Sequence, residues 1–584
     1  MRENDIVFFN LHRRYINNIP TYGGFKGIYS LAAFINNNGY YAQSFAGQLV
    51  EGKNKIDEIC SNRKTSIIGL YCDYENVTEN IFLSKYIKEK YNIPVLIGGP
   101  QATALKKSFY EKSLCDVVVR YEGELTVLEL LHHFLDDSVD LSMIDGISYL
   151  KNGEIIVNKD RDLIENLDAL PFVTQDCYLD LKQFNNELSV MTGRGCPFNC
   201  AFCHEGQHTK KVRFRSVENV IGEIEAFLRL KSNEESVFVL FTDDTFTLNP
   251  LRVKRLCEGL KKLQKIKKFN WFCEGHIHTL FLHPEMIQYL FDAGLHRIQL
   301  GIEAGTQKVL DAYRKGSSLE EIEAVVKNIT DIGIPQVYSN IILGGAFFNI
   351  EIYNADLEFA KKLIYAGKGS VEIGVVSYWP LPETSITVNP EKYGLTILDY
   401  DFYTSVGDFP QIETHLLNRF ELARLMKNMD TEISLYMKNM IKNREISEDK
   451  VLSWFSEDGI LKSTGKWWYC LVEMPHIFNY YQMISNKEAY SSRSLNYNNF
   501  LEFHPMRTIP IYNNLDINED DRFSVFGIDL TEFELDVLLY STGKLSIKSI
   551  MEKMNNKYKN ESSSKVKGAV EKLEKNFLIV YSLY

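Results

Sequence analysis

The chain repeats one phrase. An apolar run rich in β-branched and aromatic residues ends at glycine or an acid, and an amphipathic helical stretch follows. Asp5 to Phe9 (DIVFF), Ser66 to Tyr71 (SIIGLY), Pro94 to Ile97 (PVLI) and Asp116 to Arg120 (DVVVR) read as strands. Ile28 to Ile35, Asn80 to Tyr91 and Leu125 to Phe134 read as the helices between them. Such alternation predicts an α/β fold, a parallel, doubly wound sheet over about residues 1–150. Sheets of this kind bind ligands beyond the carboxyl ends of their strands. Gly23-Gly24, Gly98-Gly99-Pro100 (with Thr103 just beyond) and Gly123-Glu124 all stand at such ends. Glycine lets a backbone approach a flat or phosphate-bearing ligand closely, and it equally suits a plain tight turn. No GxGxxG follows the first strand, so a dinucleotide site is not expected.

The phrase continues downstream. Val237 to Phe241 runs into Thr242-Asp243-Asp244, His296 to Leu300 into Gly301-Ile302-Glu303, and Val337 to Leu343 into Gly344-Gly345. Ser370 to Ser377 runs into Pro380-Leu381-Pro382-Glu383-Thr384. A βα repeat through residues 188–390, entered by a connector over 151–187, is consistent with an incomplete barrel whose site lies at the strand C-termini. Near its start, Met191 to His204 reads MTGRGCPFNCAFCH, which sets Cys196, Cys200 and Cys203 in CxxxCxxC spacing. Three thiolates on one short loop can each take a corner of a [4Fe–4S] cube, leaving one iron open to an amine and a carboxylate. Zinc would want a fourth ligand, for which His204 is adjacent.

Composition narrows the setting. Ten cysteines in 584 residues are too few for a disulfide scaffold, and a reducing cytoplasm is the expectation. No apolar run approaches the ~18 residues of a membrane span. The start, MRENDIVFFN, does not have the form of a signal peptide. Lys plus Arg total 65 against 77 for Asp plus Glu, and the net charge of −12 weighs against nucleic acid as a partner.

With the aromatic Phe202 before its third cysteine, the CxxxCxxC loop resembles the signature of radical S-adenosylmethionine enzymes. The resemblance implies a cluster on Cys196, Cys200 and Cys203 that passes an electron to S-adenosylmethionine. It also implies a 5′-deoxyadenosyl radical that takes a hydrogen atom from carbon, and a reductant such as flavodoxin or ferredoxin. Phe202, Asp243, Asp244, Glu303, Ile342 and Gly344 fall at positions that contact S-adenosylmethionine in that family. On the residues alone, Asp243 and Asp244 also read as a helix N-cap. Two departures stand out: Gly344-Gly345-Ala346-Phe347-Phe348 replaces the family's usual Gly-x-Pro-Gly-Glu-Thr, and His276 stands where a third-strand arginine is frequent. A doubly wound domain ahead of such a barrel resembles the cobalamin-binding subfamily. That resemblance assigns Gly23, Gly24, Gly98, Gly99, Pro100, Thr103, Gly123 and Glu124 to cobalamin, although no DxHxxG supplies a histidine to cobalt.

Residues 391–515 read as a helical region, with apolar spacing from Asn418 to Asn443 and an aromatic stretch of Trp454, Trp467, Trp468 and Tyr469 that suits a core. Residues 516–584 read as three helices and a strand, opened by a capping box at Thr531-x-x-Glu534. This order resembles small winged-helix peptide chaperones of ribosomal-peptide maturation, which add a leader peptide to a sheet edge. A nucleic-acid winged helix or a packing module has the same order. The expectation drawn from these resemblances is a cobalamin-dependent radical enzyme that C-methylates a ribosomal peptide or a small natural-product precursor. Its alternatives are a non-methylating radical modification and a non-catalytic cluster- or peptide-binding protein.

Overall fold

The computed structural model describes residues 3–12, 26–62, 64–74, 76–104, 107–204, 210–234, 236–398, 409–457, 462, 465–494, 497–517, 523–559 and 563–582. Gly23 and Gly24 lie outside the described residues. The chain forms two compact units, residues 1–431 and 432–584.

The first unit holds both large sheets. The first is built of β1 (Asn4–His12), β2 (Ala42–Gln48), β3 (Thr65–Tyr71), β4 (Val95–Gly98), β5 (Val117–Val119), β6 (Ile147–Lys151) and β7 (Glu154–Val157). Their order is β2-β1-β3-β4-β5-β6-β7, parallel as far as β5. Alternate residues of β1 serve opposite cores: Val7 and Phe9 pack with the helix Val77–Tyr91 side, Ile6 and Phe8 with the helix Lys26–Asn37 side. Burial on both faces explains the unbroken apolar run.

Two features correct the sequence reading. Ala42–Gln48 (AQSFAGQ) is a strand without an apolar run, recruited by its register with β1. The sheet also does not end at residue 150, because β6 and β7 form an antiparallel hairpin on its edge that runs to Val157.

The second sheet holds β8 (Glu187–Val190), β11 (Phe238–Phe241), β12 (Asn270–Gly275), β13 (Leu295–Glu303), β14 (Gln336–Leu343) and β15 (Val371–Ser377). All neighbours are parallel and in chain order, from β8 at one edge to β15 at the other, which is the open six-stranded barrel expected. A short antiparallel pair, β9 (Gly193–Arg194) with β10 (Arg213–Phe214), follows β8.

In the second unit the helices Glu532–Tyr540, Ile547–Tyr558 and Ser563–Lys575 and the strand Ile579–Ser582 follow in the expected order, and the capping box at Thr531 and Glu534 is formed. The unit does not begin at 516, however. Ile579–Ser582 is the middle strand between Ala489–Tyr490 and Pro505–Arg507, and Phe500, Ile509 and Ile511 share the helices' core. With both neighbours filled, that last strand is the sheet's centre, and its edges are Ala489–Tyr490 and Pro505–Arg507. Trp454 and Trp467 are buried and stacked at 5.6 Å, as a core reading requires. Among the described residues no helix is long and apolar enough to cross a membrane.

Candidate active site

The cysteine loop leaves β8 and is held along its length. Thr192 donates its amide to Asp243 Oδ1 at 2.5 Å and its hydroxyl to Asp243 Oδ2. Arg252, on the helix Pro250–Ile266, donates to the Thr192 hydroxyl at 3.0 Å and to its carbonyl at 2.9 Å. Gly193 pairs with Phe214 where a Cβ would sit 2.7 Å from the Phe214 ring. Gly195, at φ +93°, turns the chain into Cys196, a left-handed conformation that glycine adopts without strain. Beyond it, the Ala201 amide donates to the Tyr313 carbonyl at 2.8 Å, and the Ile386 amide to the Ala201 carbonyl at 3.1 Å. Phe198 stacks on His276 with centroids 3.7 Å apart, and Phe202 meets Tyr313 edge-on at 5.0 Å.

None of Cys196, Cys200 and Cys203 is in a disulfide; Cys200 is buried and the others are half-buried. A loop that presents three thiols, held at one end by Asp243 and Arg252 and at the other by the backbones of Tyr313 and Ile386, fits a cube that takes one thiolate for each of three irons. Among the described residues no three His, Cys, Asp or Glu side chains gather round one point that could hold a single metal ion.

The barrel strands bring charged groups to the same place. A register shift in β13 precedes Glu303, which adopts φ +66°. Strained conformations of this kind concentrate at functional sites. Glu303 accepts from Lys315 Nζ at 2.9 Å, and a Cβ on Gly301 would lie 2.2 Å from that Nζ, so glycine is required for the approach. Burial opposes the Lys315 charge, but Glu303, Cys200 and Cys203 hold its pKa above the ordinary lysine value. On β12, Glu274 is pushed up to about 7 by burial and, next, by Asp244. His276 is pushed down to about 3 by burial and then by Lys315, so it is neutral at pH 7.

The sequence-assigned residues divide by place. Asp244 faces the cavity beside the cysteine loop. Asp243, assigned to the same ligand, instead spends both carboxylate oxygens on Thr192 and so positions the loop. Phe202 and Ile342 line a second, largely apolar cavity of ≈ 650 Å³ with Val376, Trp379, Phe409 and Met426. Gly344 makes a turn at φ +74°, where a Cβ would press on Ile412 at 2.9 Å. Lys315, Glu274, Arg252 and Arg194 were missed. Lys315 had a weak local signal, a basic pair before Gly316; the others are set by strand neighbours.

The first cavity, ≈ 360 Å³, lies between the two sheets. One wall is Gly98, Gly99, Pro100 and Gly123 at the ends of β4 and β5, with Gly27, Gly69 and Leu96. The other is Met191, Gly193, Arg194, Gly195, His204 and Asp244 from the cysteine loop and β11. Among the described residues no heavy atom stands within 4 Å of a Cβ built on Gly27, so its missing side chain leaves the wall open, as a flat macrocycle would require. Thr103 sits in the turn Ala102–Ala104. Glu124 also lines this cavity, but its carboxylate is paired with Arg194 at 2.5 Å. Glu122 beside it pairs with Arg194 at 3.1 Å and Arg213 at 2.8 Å, so the end of β5 is tied to the cysteine loop.

Residues 190–360 match the family model described as the radical SAM superfamily. An uncharacterized methyltransferase of Pyrococcus horikoshii is 31% identical over 315 residues, 53% of this chain and 66% of that protein. The chain thus spans just under two thirds of that relative, and 40% and 56% of two further curated relatives. Two solved structures share the fold. The cobalamin-dependent S-adenosylmethionine radical enzyme OxsB with aqua-cobalamin bound has a TM-score of 0.59 at 17% identity, covering 83% of this chain and 75% of that one; its apo form covers 98% and 84% at 0.58 and 16%. The radical S-adenosylmethionine methyltransferase TsrM of Kitasatospora setae, with tryptophan substrate bound, has a TM-score of 0.56 at 15% identity, covering 67% and 78%. Residues 190–360 therefore form a radical SAM domain.

Proposed function

We propose that this chain is a cobalamin-dependent radical SAM methyltransferase acting on an unactivated carbon of a natural-product precursor. One observation carries the reading: the cavity between the sheets has a glycine-lined wall on one side and the cysteine loop on the other. When bound, the cluster, S-adenosylmethionine and cobalamin supply one-electron reduction, hydrogen-atom abstraction and a methyl group. Cys196, Cys200 and Cys203 would hold the cluster. Asp244, Glu303 and Lys315 would meet the charged ends of S-adenosylmethionine. Gly98, Gly99, Pro100 and Gly123 would lie against the corrin. Asp243, Arg252, Glu122 and Arg194 hold the loop and the glycine wall in place, and the buried strand ends exclude water.

The substrate is either a small precursor or a ribosomally made peptide, with its apolar portion in the cavity lined by Ile342, Trp379 and Phe409. The small precursor is the better supported. The likeness to apo OxsB runs over 98% of the chain, so the C-terminal unit's fold does not by itself single out a peptide. A second reading keeps the radical step without methyl transfer, and it is favoured by two of the curated relatives, which are named anaerobic magnesium-protoporphyrin IX monomethyl ester cyclases.

The test is iron and cobalt per chain in protein made with cobalamin and purified without oxygen, followed by turnover with S-adenosylmethionine labelled in its methyl group. About four irons, one cobalt and label in product are expected. Iron without cobalt, or product without label, refutes methyl transfer by cobalamin.

A further inference from the structure

We infer that a cationic cleft behind the cysteine loop is the docking site for a small acidic electron-transfer protein; the inference rests on the radical reading above. The cleft, ≈ 520 Å³, is lined by Lys308, Arg314, Lys392, Asp311, Ser385 and Phe347 among others. Lys308 lies 5.0 Å over the Phe347 ring, and Arg314 donates to Ser385 Oγ. Among the described residues none of the three cations has an ion-pair partner, and the one lining acid, Asp311, accepts from Gln307.

Its place in the fold matters most. Arg314 follows Tyr313 and Ser385 precedes Ile386, the two residues whose backbones hydrogen-bond to Ala201 from either side. The inner side of the cleft is thus the backbone next to Cys200. No residue of this cleft's lining also lines the substrate or the glycine-lined cavity.

Charge selects the occupant. The chain carries a net charge of −12 and so repels an acidic protein over most of its surface. A local group of three cations orients such a partner onto one face. Electron-transfer encounters are small and transient, which a cleft of this size suits. The step is a one-electron exchange: the carrier is oxidised by one electron, the centre held by the three cysteines is reduced by one, and no proton moves.

The test uses Lys308→Glu with Lys392→Glu, neither of them in the cofactor or substrate sites. Formation of 5′-deoxyadenosine is measured with reduced flavodoxin and, separately, with reduced methyl viologen, a small cation. Binding of oxidised flavodoxin to the chain is measured by calorimetry at low and high salt. The flavodoxin-driven rate and affinity should each fall ~10-fold or more at low salt, the lower end of electrostatic steering. The viologen-driven rate should hold, and added salt, which weakens flavodoxin binding to the wild type, should not weaken it in the variant. Unchanged flavodoxin binding, or an equal loss by both electron sources, overturns the inference. If the wild type makes no 5′-deoxyadenosine with viologen either, the radical reading itself falls and takes the inference with it.

Discussion

Replacing Glu122 with glutamine should loosen the tie between the glycine wall and the cysteine loop. Glu122 Oε1 accepts from Arg213 Nη2 at 2.8 Å and meets Arg194 Nη1 at 3.1 Å; Oε2 accepts from Arg213 Nη1 at 3.1 Å and from the Ile164 amide at 2.9 Å. The Arg213 side chain is 3% exposed and Glu122 12%. Arg194 keeps Glu124, but among the described residues Arg213 would be left with neutral acceptors, the glutamine oxygen and the Ile164 carbonyl at 2.7 Å. A buried cation stripped of its carboxylate costs about 3–5 kcal/mol. At ~1.4 kcal/mol per tenfold, that raises the unfolding constant by roughly two to four powers of ten.

The assay is equilibrium urea unfolding at pH 7, with Glu225→Gln as control. The Arg229–Glu225 pair is exposed on a helix and should cost less than about 1 kcal/mol. Adding Arg213→Met to Glu122→Gln should recover part of the loss, because the stranded charge is gone. The pH dependence has a fixed sign. Burial works against the Glu122 charge, but Arg213 and Arg194 hold its carboxyl below the ordinary glutamate value. Its contribution is therefore present above the unfolded pKa and is lost as pH falls through the folded one, where wild type and variant converge. A loss below about 1 kcal/mol at pH 7, the value of an exposed pair, would refute the reasoning.

Three further outcomes are expected. Gly27→Leu fills open space and should leave stability within about 0.5 kcal/mol while cobalt retention drops, whereas Gly69→Ala, whose Cβ would meet Phe8 at 2.4 Å, should cost about 1–3 kcal/mol; the reverse ranking in urea unfolding contradicts the cavity assignment. Glu274, raised from 4.5 to about 7, favours folding below its unfolded pKa and loses that as pH rises, so Glu274→Gln should be more stable than wild type at pH 8 by on the order of 3 kcal/mol and close to it at pH 4; a gap that does not change with pH counts against a buried, protonated Glu274. Cys200→Ser should lower iron from about four per chain to well under half with an unchanged far-ultraviolet spectrum, and iron that stays would show that Cys200 holds none.

What could be read from the sequence was local. CxxxCxxC needs only eight residues to declare three thiols on a loop, and the Thr531–Glu534 capping box closes within one helical turn. The order of the barrel strands follows chain order, so β11, β13, β14 and β15 could be laid out from apolar runs, whereas β8 and β12 were not read from the sequence. The strand Ala42–Gln48 has no such run and exists because β1 offers it a parallel edge. The last strand, Ile579–Ser582, finds its neighbours about 75 and 90 residues earlier, which no local pattern announces.

The site divides in the same way. Its thiols were legible, but the roles of its acids were not. Asp243 and Asp244 are adjacent in sequence but serve different tasks: in the turn beyond the end of β11, Asp243 meets Thr192 and Asp244 faces the cavity. Asp243 meets Thr192 across 51 residues, Arg194 meets Glu124 across 70, and Arg213 meets Glu122 across 91. An ion pair's value depends on burial and on which strand ends are neighbours, and both exist only once the sheets have packed.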